Sequence, residues 1–233
     1  MNFLLEGIRN GLDLILNKDV LFILKTSLLV SISATIISVL IGIPSGSILT
    51  IKNFPFKKIV VALINTGMGL PPVVVGLVVT LFLTRNGPFG FLNWLYTPRA
   101  MILAQVIIAT PIITGLTYAS LQDINPELYR QIAAMGATTF QTILVLSREA
   151  KLSILAAIIA GFGSIISEVG AVMIVGGNIK GQTRVLTTAI VFETNKGNFD
   201  IAIVLGVILF VMSFIVNLAL TYIQLNRVKQ IRI

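Results

Sequence analysis

Five apolar stretches constrain this chain more than any other feature. Leu21–Leu49, Ile59–Leu83, Ala100–Leu121, Leu152–Val175 and Ile201–Ile223 each reach the roughly 20 residues a helix needs to cross a bilayer core. In hydrocarbon an unpaired peptide group costs several kcal/mol, so only helices or closed barrels can span. The two-residue alternation of barrel strands is absent. The expected fold is therefore all-α integral membrane, with about five spanning helices. Composition agrees, since 11% of residues are charged where a soluble domain carries about 25%.

Before the first stretch, Leu4, Leu5, Ile8, Leu12, Ile15 and Leu16 recur at helical spacing among Glu6, Arg9, Asp13 and Lys18. This pattern predicts an amphipathic helix lying on the membrane. No basic region precedes it and no small-residue cleavage site follows, so retention is expected rather than removal as a signal peptide. The domain reading is an interfacial helix over 1–20, a transmembrane domain over 21–223 and a basic cytoplasmic tail over 224–233.

The chain has no cysteine and no histidine, which excludes disulfides, thiolate or imidazole metal sites and any His-activated nucleophile. No catalytic residue and no metal site are expected. The net charge of +8 does not point to nucleic acid, because the basic residues form no dense patch with interleaved aromatics. With the N-terminus outside, the cytoplasmic segments at 52–58, 130–151 and 227–232 hold nine Lys and Arg against eight outside. The raw margin decides nothing, but the density at Lys52, Lys57 and Lys58, and at Arg227, Lys229 and Arg232, favours those segments as cytoplasmic.

Several local patterns invite a chemical reading. Gly176 to Thr183 (Gly-Gly-Asn-Ile-Lys-Gly-Gln-Thr) mimics a phosphate-binding loop, but Gln182 stands where the phosphate-contacting Lys must be, and no strand precedes it. Nucleotide is then handled by another chain. Glu168 is the only carboxylate inside an expected span. It should face a bundle interior, a pathway or a partner, or else lie close enough to the outer end to reach water or to cap a neighbouring loop. Pro71 and Pro72, after Gly67 and Gly69, should kink or break the second span, and broken membrane helices line protein or watery cavities. Gly42 and Gly46 have small-xxx-small spacing.

Two connections are more than turns. Gln122–Lys151 is polar and amphipathic, with Asn125-Pro126-Glu127 as a helix start. Gly176–Asp200 contains Thr183–Glu193, helical in character but half the length of a span. Arg85, Arg99, Lys180 and Arg184 lie outside the spans; with backbone N–H groups near Gly176 and Gly177 they are expected to guide the anion at the mouth that the resemblance given next implies.

The segment Tyr129-Arg-Gln-Ile-Ala-Ala-Met-Gly-Ala-Thr-Thr-Phe140, followed by Ile143–Ala150, resembles the EAA loop of ABC-importer permeases. It differs from the usual pattern at Gln131 and Ile132, where acid and alanine often sit, and at Glu149, where proline is frequent. Ile166–Asn178 and Gly69–Gly76 look like tungstate-type oxyanion permeases, relatives of the molybdate and sulfate permeases; the similarity runs from about Lys25 to Tyr222. The resemblance implies a type I ABC importer transmembrane domain in the cytoplasmic (inner) membrane, with the loop and C-terminus cytoplasmic. It implies a homodimeric pore, cytoplasmic ATP-binding subunits that carry ATP and Mg, and an extracytoplasmic oxyanion-binding protein. This chain itself would hold no cofactor. Coupling to the ATPase would fall to Gln131, Ile132, Ala133, Ala134, Gly136 and Ala137. The pathway would involve Pro71, Pro72, Glu168, Gly170, Gly176 and Gly177. Physically, Ile132, Ala133 and Ala134 read as small apolar knobs, with Gly136 permitting a bend. An ion-driven secondary transporter would need more intramembrane ionisable groups, and a mere membrane anchor would need neither the loop nor the broken helix.

Overall fold

The computed structural model describes residues 18–229, with side chains described to Gln224. The expected interfacial helix thus lies outside the described residues except for Lys18–Val20, and Gln230–Ile233 lie outside as well. Among the described residues there are ten α-helices, one 3-10 turn and no strand. The helices are α1 (Lys18–Ile51), α2 (Lys57–Met68), α3 (Pro72–Leu83), α4 (Pro98–Gln122) and α5 (Pro126–Ala134). They continue as α6 (Thr139–Glu149), α7 (Lys151–Ile166), α8 (Gly170–Gly176), α9 (Leu186–Asn195) and α10 (Phe199–Lys229). The 3-10 turn, Gly90–Leu92, lies between α3 and α4.

Among the described residues three helices, α1, α4 and α10, are long and apolar enough to cross a membrane, and there are up to five crossings if α2 with α3 and α7 with α8 each form one bent span. The expected break at Pro71-Pro72 is present: α2 ends at Met68 and α3 takes Pro72 as its first residue, where a missing N–H costs nothing. The stretch Leu152–Val175, expected as one continuous helix, is instead interrupted at Ser167–Val169. The short helix expected over Thr183–Glu193 runs from Leu186 to Asn195. It starts late because Thr183 and Arg184 are tied into the preceding loop, as described below.

Several polar side chains inside α1 are accommodated by its own backbone. Thr26, Ser27, Ser47 and Thr50 donate to the carbonyls four residues earlier, at 2.8–3.0 Å. A hydroxyl bonded this way sits in an apolar helix without needing water.

The chain divides into two compact units. The first comprises residues up to Ala34, Pro71–Gln105 and Ile165–Ala219. Its core holds Val30, Val75, Met101, Ile165, Val172, Val175 and Leu186. Here α3 and α8 touch backbone to backbone: a Cβ on Gly76 would lie 2.7 Å from the Ala171 Cα, and one on Gly170 would lie 2.7 Å from the Val73 Cγ2.

The second unit comprises Thr35–Leu70, Val106–Ser164 and residues from Leu220 on. Its organising element is the second half of α4, which glycines of three other helices approach. A Cβ on Gly42 would lie 2.9 Å from Ile113, one on Gly46 2.7 Å from the Thr114 carbonyl oxygen, one on Gly67 2.9 Å from Pro111 and one on Gly161 2.7 Å from Ile113. Apolar side chains gain little by leaving lipid for one another, so close backbone approach at small residues carries helix association in membranes.

This contact makes a direct forecast. Gly46→Ala should destabilise the protein by roughly 1–3 kcal/mol through overpacking, while Gly206→Ala, where an added Cβ meets nothing within 4 Å, should not. Thermal unfolding of the two variants in detergent measures the difference; equal midpoints would contradict the packing account.

Candidate functional site

The polar segment after α4 is a self-contained helical hairpin. Asn125 caps α5 by accepting the Glu127 N–H at 2.9 Å, with Pro126 as the first helical residue, as the Asn-Pro-Glu signal requires. At the start of α6, Thr138 and Gln141 form a reciprocal capping box: the Gln141 N–H donates to Thr138 Oγ1 at 3.3 Å and the Thr138 N–H to Gln141 Oε1 at 2.8 Å. Between the helices Gly136 takes φ +73°, with nothing within 4 Å of where a Cβ would stand. It is therefore chosen for backbone conformation and not for space.

The hairpin is held to the rest of its unit by an apolar core of Leu121, Ile132, Leu146, Ala150 and Ile154, flanked by Ile124, Leu128, Tyr129 and Ala137. The Tyr129 hydroxyl donates to the Leu121 carbonyl at 3.2 Å. Burial pushes the Tyr129 phenol above its ordinary value, so it stays a neutral donor at physiological pH.

Of the residues expected to face a partner, Gln131, Ala133, Ala134 and Gly136 are exposed and Ala137 is half-buried. Ile132 corrects the reading of it as a knob. It is 2% exposed and anchors the hairpin inward. The apolar tip is completed instead by Met135 and Phe140, 77% and 69% exposed. Sequence reasoning passed over both, although two large apolar side chains beside the glycine of a polar loop were the available signal.

The expected pathway residues fall in the first unit, on or near the α3–α8 pair. Pro71 and Pro72 open α3, Gly170 opens α8 and Gly176 closes it. Gly176 meets Met101, and Gly177, at φ +70°, meets the Tyr96 ring. The Tyr96 N–H donates to the Val175 carbonyl at 2.9 Å. Glu168 is half-buried in the gap between α7 and α8, where its Oε1 accepts the Ala171 N–H at 3.0 Å. Among the described residues no group of three or more Asp and Glu could hold a metal ion.

The phosphate-loop lookalike is a closed turn. Thr183 Oγ1 accepts the Ile179 N–H at 3.0 Å and donates to the Gly176 carbonyl. Arg184 Nε donates to Asn178 Oδ1 at 3.1 Å, and its guanidinium stands 4.3 Å from the Phe192 ring centroid. Lys180 pairs with Asp19 at 2.7 Å. The Gly177 N–H, expected to be free for an anion, donates to the Met173 carbonyl at 2.9 Å. Two of the four basic groups expected at the mouth are thus already engaged by protein.

Residues 22–228 match the family described as binding-protein-dependent transport system inner membrane component. A tungstate uptake system permease protein from Peptoclostridium acidaminophilum is 40% identical over 226 residues, covering 96% of this chain and 99% of that protein. A probable anion ABC transporter permease protein from Haloferax volcanii is 42% identical over 200 residues, covering 84% and 86%. The fold matches a bacterial alginate ABC transporter solved in complex with its alginate pentasaccharide-bound periplasmic protein, with TM-score 0.75 at 19% identity, covering 91% of this chain and 80% of that one.

The burial pattern separates anchor from tip. Ile132→Ala should cost about 2–4 kcal/mol, whereas Met135→Ala should stay within about 0.5 kcal/mol of the parent. Melting in detergent reads both, and a Met135 effect as large as that of Ile132 would contradict the assignment.

Proposed function

Because the chain belongs to the family of binding-protein-dependent transport system inner membrane components, we propose that it is the permease subunit of an ATP-driven ABC importer that carries an oxyanion, tungstate, across the cytoplasmic membrane. Near-complete two-way coverage at 40% identity with a tungstate permease supports the ion. Molybdate and sulfate, alike in charge and shape, are the alternatives within the same class.

The observation that carries the mechanism is the hairpin. Its tip of Ala133, Ala134, Met135 and Phe140 is exposed and apolar, and its base is locked by Ile132 into a core that includes Leu121 of α4 and Ile154 of α7. A partner that grips the tip therefore moves helices and not a loose loop. In this reading the partner is a cytoplasmic ATPase subunit that binds ATP and Mg. The hairpin and C-terminus face the cytoplasm and the N-terminus lies outside, in keeping with the basic residues at 52–58 and 227–232. Two copies form the pore, and a binding protein delivers the anion from the other face. Pro71, Pro72, Gly170, Gly176 and Gly177 then border the pathway, at the ends of the paired helices α3 and α8.

The spans carry no dense set of fixed cations, which suits passage, since an anion held tightly by the pore would not leave it. A secondary transporter would need an ionisable relay. Asp19 and Asp200 sit in the first turns of α1 and α10, and Glu168, in the break between α7 and α8, is engaged by a backbone N–H.

Co-expression of the chain with its ATPase and binding protein, followed by elemental analysis of tungsten taken up into vesicles, tests the proposal. Wild type should accumulate tungsten in an ATP-dependent way. Ala134→Glu or Met135→Glu should abolish uptake and ATPase co-purification while leaving the chain in the membrane. Undiminished uptake in both variants would overturn the coupling role, and uptake of molybdate or sulfate in preference would overturn the ion.

A further inference from the structure

The interruption between α7 and α8 has no proline to explain it. What stands there instead is a set of side chains brought from distant parts of the sequence, all within the first unit. Gln105 of α4, 3% exposed, donates from Nε2 to the Ile165 carbonyl at 2.9 Å. Thr187 of α9 donates from Oγ1 to the Glu168 carbonyl at 3.0 Å. Glu168 Oε1 accepts the Ala171 N–H in the first turn of α8. Ser27 of α1 accepts the Leu186 N–H at 2.8 Å, fixing the start of the helix that carries Thr187. Ser27, Gln105, Glu168 and Thr187 share the lining of one small cavity of about 10 Å³.

Each bond takes up a backbone group at or beside a helix end, the Ile165 carbonyl accepting the Glu168 N–H at 3.2 Å as well as Gln105. The last turn of α7 exposes carbonyls and the first turn of α8 exposes N–H groups, and a membrane offers neither kind water. Gln105 is kept at a penalty, because its Oε1 is buried without a partner, and such an orphaned group costs about as much as or more than one hydrogen bond contributes net; its place here therefore calls for a reason beyond stability. The arrangement also fixes a register. Gly170 and Ala171, directly after the break, are the residues that touch Val73 and Gly76 of α3 too closely to admit an extra methyl.

We propose that Gln105, Glu168 and Thr187 are positioning residues for transport, a polar clamp that sets where α7 ends and α8 begins and so holds α8 in register on α3. Glu168 acts in it as a hydrogen-bond acceptor and not as a charge in the pathway. The transport part of this inference rests on the importer reading above; the clamp itself does not.

The test uses the full complex of permease, ATPase and binding protein in proteoliposomes, and reads oxyanion taken up per ATP hydrolysed. A fold defect lowers both quantities together and leaves their ratio alone. Glu168→Gln, which keeps an acceptor oxygen, should hold the ratio within about twofold of wild type. Glu168→Ala should lower it about fivefold, the change a typical helix cap makes in a two-state equilibrium. Thr187→Val and Gln105→Leu should lower it likewise, and Thr187→Ser should restore it. A Glu168→Gln ratio as low as that of Glu168→Ala would overturn the acceptor role in favour of charge, and an unchanged ratio in Glu168→Ala would overturn the clamp. If wild type moves no oxyanion, the importer reading fails, and hydrogen exchange of segment 165–176 in nanodiscs then decides the clamp alone. Faster exchange at Ala171 in Glu168→Ala but not in Glu168→Gln supports it; unchanged exchange overturns it.

Discussion

A peptide group left unpaired in hydrocarbon costs several kcal/mol, and most of this structure is an answer to that cost. The long helices α1, α4 and α10 pair most of their backbone internally, with Pro44 in α1 and Pro111 in α4 bringing no N–H, and four hydroxyls of α1 turn back onto carbonyls of the same helix. Where the backbone does break, the free groups are handled in two ways. At Pro71-Pro72 the chain discards the N–H that would have been orphaned. At Ser167–Val169 side chains from α4 and α9, with Glu168 itself, supply the missing partners.

The two ways differ in what a sequence reveals. A proline pair is local, so the break between α2 and α3 could be read directly, as could the Asn125-Pro126-Glu127 start and the Gly136 turn. The second break depends on Gln105, some sixty positions upstream, and on Thr187, some twenty downstream; no window along the chain contains the cause. Ile132 failed for a different reason. Leu128 and Ile132 stand four apart on one face of α5 and both pack on the core with Leu121 and Leu146, so grouping Ile132 with its neighbours Ala133 and Ala134 ignored a helical spacing that was local and readable. Arg184 and Lys180 read as free cations because their partners, Asn178, Phe192 and Asp19, become neighbours only in the fold.

The two units are packed differently. The second contains a glycine-packed hub on α4 and a hairpin whose base is part of the core and whose tip is not. The first contains the short paired helices α3 and α8, joined through glycines with no tolerance for added atoms. Rigid seating matters for a transporter, because packed interfaces of this kind have discrete arrangements and do not deform continuously.

The side of the membrane on which the hairpin stands is the point on which the importer account turns. The natural chain lacks cysteine, so Ala134→Cys introduces a unique thiol at an exposed position. Intact cells or spheroplasts are treated with a membrane-impermeant thiol reagent, before and after permeabilisation. The account predicts labelling only after permeabilisation. Labelling in intact cells would put the hairpin on the outer face, beyond reach of any ATPase, and would contradict it.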